Sequence, residues 1–174
     1  FLHWLTDPVK NGGGAIIDFG CYGANIMTWL MDGKKPIAVT AVTQQLKPDI
    51  YPKVDDEATI ILTYPDCQAI IQASWNWPFD RKDTEVYGTK GILVANKNNK
   101  MRYVDGDRYG KESMIDLSPL PHEVSNVFPY LAAVVQGRIK PKMDLSSFEI
   151  NQVVVEILEA ARESAKTGKK VTLK

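Results

Sequence analysis

The 174-residue chain is short of cysteine, of net charge and of long apolar runs, and each shortage removes a class of function. Two cysteines, Cys21 and Cys67, are too few for a disulfide framework or for a zinc site, which usually takes four ligands. They read as reduced, buried thiols, with no metal expected and the cytoplasm as the simplest compartment. Basic and acidic residues balance at 21 each, so no nucleic-acid partner is expected. No apolar run approaches the ~20 residues that cross a bilayer, so no membrane partner is expected either. A secretory signal is also missing: the opening FLHWL lacks an initiator Met, a basic n-region and a cleavage site. It reads as a piece of something longer, and an export signal would lie ahead of it.

What is present is an ordinary globular composition, 44% hydrophobic and 24% charged, on a length that suits one domain with a real core. Ala15 to Met31 reads as one largely buried helix, closed by Asp32-Gly33 and Pro36. Strands are expected at Ile37–Thr43, Glu57–Tyr64 and Gln68–Trp77, the last two as an antiparallel hairpin. Shorter strands are expected near Thr84–Tyr87, Gly91–Ala95 and Met101–Asp105. A polar turn is expected at Lys97 to Lys100, and the stretch from Tyr109 to Pro121 reads as a loop. A helix is expected from about His122 to Gln136, with Pro129 marking a kink or a delayed start. The clearest helix follows Asp144, with Ser146 and Glu149 matching a capping box and Gly168 closing it. A last strand covers the KVTLK end.

Helix first, then strands, then helices implies an α+β fold with an open, mostly antiparallel sheet and helices on one face. Apolar residues on both strand faces, such as Ile60 with Ile61 and Ile70 with Ile71, imply that a partner subunit covers the other face.

The chemistry-bearing stretch is NGGGAIIDFGCYGANIMTWL, Asn11 to Leu30. Gly12, Gly13 and Gly14 lack the G-x-G-x-x-G spacing, and no convincing strand precedes them. A Walker A lysine is absent as well. The glycines therefore mark a backbone that passes close to something. Behind them Asp18, Tyr22 and Asn25 stand at i, i+4 and i+7, one stripe of polar groups on an otherwise apolar helix. Buried polar groups need partners. They either satisfy one another as a structural network or line a pocket for a polyhydroxylated ligand.

The stretch GGGAIIDFGCYGANIMTWL resembles the motif that opens the C-terminal domain of the Gfo/Idh/MocA oxidoreductases. Gly12 to Gly14, Asp18, Tyr22 and Asn25 match it in register, and SWNWP, VYGTKG and EILEAARESAKTGKKVTL agree with it farther on. The resemblance implies that residues 1–174 form a substrate-binding and oligomerisation domain. The partner of that domain would be a Rossmann domain, absent from this chain, that binds NAD or NADP. It implies hydride transfer on a sugar, polyol or related alcohol, and a homo-oligomer formed through the open sheet face. Tyrosine at position 22 resembles the branch containing glucose–fructose oxidoreductase.

By the same resemblance Tyr22 exchanges the proton of the reacting hydroxyl and Asp18 holds or orients the substrate. Asn25, Gly13 and Gly14 become neighbouring substrate contacts. Apart from the resemblance, His122 at a helix start either reaches the substrate cleft as a further contact or is a surface histidine. A phenol is a poor base near neutral pH unless a cation adjoins it. The family supplies a lysine from a Glu-Lys-Pro motif in its nucleotide domain. KKP, Lys34 to Pro36, does not replace it, because it lacks the glutamate and follows the motif helix. The chain alone is therefore expected to be inactive. The rival reading is a non-catalytic ligand-binding or scaffold module of the same fold. His3 is expected to pack near the glycine loop. Trp75 and Trp77 are either core or a sugar-stacking platform.

Overall fold

The computed structural model describes residues 2–96, 100–107 and 109–174, and divides the chain into two compact units. Most of the polar turn expected at Lys97 to Lys100 lies outside the described residues.

The first unit runs to Asn76 and resumes at Pro141. Its helices are α1 (Leu2–Leu5), α2 (Ala15–Asp18), α3 (Gly20–Leu30) and α5 (Phe148–Thr167). Its strands β1 (Ala38–Gln44), β2 (Glu57–Thr63), β3 (Gln68–Ser74) and β8 (Val171–Thr172) form a sheet in the order β3-β2-β1-β8. All its pairings are antiparallel, with Ala41 opposite Ile60 and Ile60 opposite Ile71. The period of two sends Val39, Ala41, Ala58, Ile60, Leu62, Ile71 and Ala73 to one face. There they meet Ile150, Val153, Val154, Ile157, Leu158 and Ala161, which recur at helical spacing along α5. A buried polar tie joins the layers, since the Ala41 amide donates to Ser164 Oγ at 2.9 Å.

The opposite face of this sheet carries Val42 at 64% and Ile70 at 65% exposure. Ile70 is one of the apolar residues that the sequence suggests are covered, and Val42 lies on the same face. Within this chain they are open to solvent.

The second unit runs from Trp77 to Lys140. Its strands are β4 (Thr84–Gly88), β5 (Gly91–Ala95), β6 (Met101–Asp105) and β7 (Glu112–Ile115), an antiparallel meander in sequence order. A 3₁₀ turn at His122–Val124 precedes α4 (Val127–Val135).

The α+β class with antiparallel open sheets is what the structure shows, and the local reading needs five corrections. The strands make two four-stranded sheets rather than one. The helix expected over Ala15 to Met31 breaks at Phe19, where the Cys21 thiol donates to the Asp18 carbonyl and the Tyr22 amide donates to the nearer Phe19 carbonyl. β7 occupies part of the expected loop. α4 starts late, at Asn126, whose side chain accepts from the Phe128 amide. Pro129 is then tolerated in the first turn, where its missing N–H is no loss. The cap of α5 is Ser147, not Ser146. The thiols also differ from expectation in burial: both are free, but Cys21 is half-buried and Cys67 exposed.

Candidate functional site

The glycine loop is built around an internal carboxylate. Asp55 Oδ1 accepts from the Gly14 amide at 3.1 Å and Asp55 Oδ2 from the Ile16 amide at 2.7 Å. The Asp55 carbonyl accepts from the Ala15 amide at 3.0 Å. These are the orphan donors at the start of α2, the groups that an anion would otherwise bind. The two backbones pass so closely that a Cβ on Gly14 would lie 1.8 Å from the Asp55 oxygen. Both the amide and the bare Cα face of Gly14 are thus taken by Asp55. The start of α2 does not fit a dinucleotide phosphate, because its Gly14, Ala15 and Ile16 amides are already bonded to Asp55. Gly13 offers its carbonyl to Asn11 Nδ2 at 2.8 Å.

Asp56, the next residue, is buried and faces the other way. Its carboxylate accepts from the Leu46 and Lys47 amides at 2.8 and 2.7 Å. Its carbonyl accepts from the Trp75 amide at 2.9 Å and from Asn76 Nδ2 at 3.0 Å. The titrations of the two aspartates diverge for this reason. Desolvation dominates at Asp55 and pushes its carboxyl up, against the lowering effect of the Ile16 and Gly14 amides. Desolvation also raises Asp56, but the donors from Leu46, Asn76 and Lys47 outweigh it and the net shift is downward.

With the start of α2 held by Asp55, the motif side chains take their places. Asp18 is half-buried, and its Oδ2 accepts from Trp75 Nε1 at 3.0 Å. Tyr22, on α3, is 58% exposed and its ring lies 6.3 Å from that of Phe19. Asn25 is spent differently. Its Nδ2 donates to the Leu145 carbonyl at 2.8 Å and to Asn151 Oδ1 at 3.3 Å, tying α3 to the entry of α5. Of the polar stripe, Asp18 and Tyr22 remain toward the surface, and Asn25 serves as a brace. Burial, then the Asp18 carboxylate, pushes the Cys21 thiol up, away from the reactive thiolate form.

The remaining candidates are dispersed. His122 is exposed in the 3₁₀ turn of the second unit, its carbonyl accepting from Ser125 Oγ at 2.8 Å. His3 is exposed on α1. Trp75 packs at 4.9 Å against the Tyr51 ring, and Trp77 lies under the Arg81 guanidinium at 5.2 Å. Lys35 of the KKP turn pairs with Glu156 at 2.5 Å. An open groove of about 440 Å³ lies beside Gly13, Gln45 and Asp55, and another of about 500 Å³ lies between Tyr87 and Tyr109 in the second unit. Neither borders Asp18 or Tyr22. Among the described residues there is no cluster of three metal-ligating side chains, and no helix is long and apolar enough to cross a membrane.

The sequence reading missed Asp55, Asp56 and the Trp75 indole as organisers of this region. The only local signal was the pair of acidic residues directly before an apolar strand.

Comparison with known proteins agrees with this architecture. Residues 2–94 match the model of the GFO/IDH/MocA C-terminal domain. The trans-1,2-dihydrobenzene-1,2-diol dehydrogenase of Xenopus laevis is 35% identical over 82 residues, 47% of this chain and 24% of that protein. GenD2 from gentamicin A biosynthesis, solved in complex with NAD, is 27% identical with a TM-score of 0.69, over 98% of this chain and 51% of its own. An aldose-aldose oxidoreductase from Caulobacter crescentus, solved with glycerol, shares the fold at a TM-score of 0.78 and 22% identity, over 98% of this chain and 50% of its own. The chain therefore spans about half the length of these solved relatives, and its match covers about a quarter of the curated one.

Proposed function

We propose a function from one premise: this chain belongs to the Gfo/Idh/MocA oxidoreductase family, as its C-terminal domain. It is the substrate-binding part of an NAD(P)-dependent dehydrogenase acting on a sugar, polyol or related diol. The nicotinamide cofactor supplies hydride chemistry and is held outside residues 1–174; in support, the Gly14 and Ile16 amides at the start of α2 are already bonded to Asp55. Tyr22 exchanges the proton of the reacting hydroxyl, and Asp18 accepts a hydrogen bond from the substrate. The observation that carries this reading is that Asp18, half-buried at the end of α2, and Tyr22, exposed on α3, both remain accessible four residues apart in the sequence, and neither the groove beside Gly13 nor the one between Tyr87 and Tyr109 borders them. A site of that form is completed by another domain. The exposed Val42 and Ile70 on the sheet face away from α5 support a subunit contact there.

The test uses the full-length protein with NAD and NADP, assayed on trans-1,2-dihydrobenzene-1,2-diol and D-xylose by nicotinamide absorbance. Tyr22→Phe is expected to lower kcat by about 10²- to 10⁴-fold, the usual worth of positioned proton transfer. Wild-type turnover in that variant, with the fold intact, would remove the proposal. Residues 1–174 alone are expected neither to turn over nor to bind NADH or NADPH.

A further inference from the structure

We propose that Trp75 is a positioning residue for Asp18. The inference rests on the proposed role of Asp18 and adds the group that aims it.

A carboxylate on a short side chain turns easily, because its terminal torsion is broad. At Asp18 one oxygen is fixed: Oδ2 accepts from the Trp75 indole N–H at 3.0 Å. Oδ1 accepts no side-chain hydrogen bond among the described residues. An indole N–H donates and never accepts, so this contact suits an acceptor and cannot be reversed. One oxygen is spent on the protein and the other is left, in a defined direction, for a substrate hydroxyl. Orientation of this kind is what raises the effective concentration of a bound group.

The donor is itself held at its backbone and at its ring. The Trp75 amide donates to the Asp56 carbonyl at 2.9 Å, directly beyond the end of β3. Its ring packs against Tyr51 at 4.9 Å with a 55° tilt. Asp56 is in turn anchored by the Leu46 and Lys47 amides. Asp18, for its part, ends the short α2 whose start Asp55 secures. The consecutive aspartates therefore set both partners of the contact, Asp55 through α2 and Asp56 through Trp75. Phenylalanine at position 75 would keep the ring packing and lose the donor. That explains why a tryptophan, and not merely an aromatic, stands here.

The experiment is a double-mutant cycle in the full-length enzyme on the same two probe substrates. Trp75→Phe is expected to raise KM about tenfold while kcat stays within about threefold, the pattern of a lost ground-state contact. In an Asp18→Ala background the same change is expected to alter KM by less than about twofold, because there is no carboxylate left to aim. Equal losses in both backgrounds would overturn the proposal and leave the proposed function standing. Wild-type turnover in Asp18→Ala would remove both. Hydrogen exchange of the Trp75 indole N–H, read by NMR, needs no substrate. It is expected to be about tenfold or more faster in Asp18→Ala than in wild type, and an unchanged rate would sink the idea. Should Trp75→Phe fail to fold, benzothienylalanine at this position keeps the bicyclic shape and removes only the N–H.

Discussion

The bare Cα of Gly14 faces the backbone of Asp55, and the Asp55 carboxylate takes the amides of Gly14 and Ile16. The glycine run of this chain binds an anion after all, and the anion is its own. A Cβ at Gly14 would meet three backbone atoms of Asp55 at 1.8 to 2.9 Å, and backbone cannot swing aside as a side chain can. Gly14→Ala is therefore expected to cost about 3 kcal/mol or more, in the range of severe overpacking. Gly12→Ala is the control. Its φ of +82° carries strain, but nothing lies within 4 Å of a Cβ there, so about 1 kcal/mol is expected. Denaturant melts of the two variants check the order, and equal losses would refute the close-approach account.

Much of this region is legible in the amino-acid sequence. The i, i+4, i+7 spacing picks out Asp18, Tyr22 and Asn25, because helical periodicity is local, although the single helix it assumes breaks at Phe19. The fate of each side chain is not legible, because it depends on groups far away in the chain. Asn25 bonds to Leu145 and Asn151, and Asp18 to Trp75. The strand Glu112–Ile115 escapes a sequence reading for a different reason. It lies at the end of its sheet's strand order, and three of its four residues are exposed, so it needs no apolar alternation to betray it. The late start of α4 is half legible in Pro129, and the decisive cap, Asn126, lies three residues upstream.

The entry of α5 allows a test between adjacent serines. Ser147 is 2% exposed, donates to the Asp144 carbonyl at 2.9 Å and accepts from the Ile150 amide at 3.5 Å. Ser146 is exposed, and its amide and Oγ both donate to Asp144 Oδ1 at 2.9 Å. Ser147→Ala is expected to cost about 1 kcal/mol as a lost cap. Ser146→Ala should stay within about 0.5 kcal/mol. Thermal unfolding of both variants decides it, and the reverse order would restore the cap to Ser146.

Tyr64 marks a place where the fold can be improved. It is 4% exposed, and its hydroxyl is buried without a hydrogen-bond partner among the described residues. Burial, followed by the neighbouring Cys67, pushes its phenol up to about 12. A buried hydroxyl with no partner carries a desolvation cost that phenylalanine avoids. Tyr64→Phe is expected to stabilise the protein by about 1 kcal/mol, or roughly 2–4 °C in Tm at this size. A fall in Tm would show that the hydroxyl is satisfied after all.

The consecutive aspartates should give opposite pH dependences. Asp56 lies below the ordinary carboxyl range when folded. Its stabilisation is present above the unfolded value of about 3.9 and is lost as pH falls through the lower folded value. Asp55 lies above that range. Its contribution is full below about 3.9 and declines as pH rises through the folded value, because ionisation is harder inside the fold. Urea melts of wild type, Asp55→Asn and Asp56→Asn across this window separate the two. The stability of wild type relative to Asp56→Asn should rise with pH, and relative to Asp55→Asn it should fall. Two curves running in parallel would mean that the carboxylates share one environment. The division of labour between loop and strand drawn from their hydrogen bonds would then be wrong.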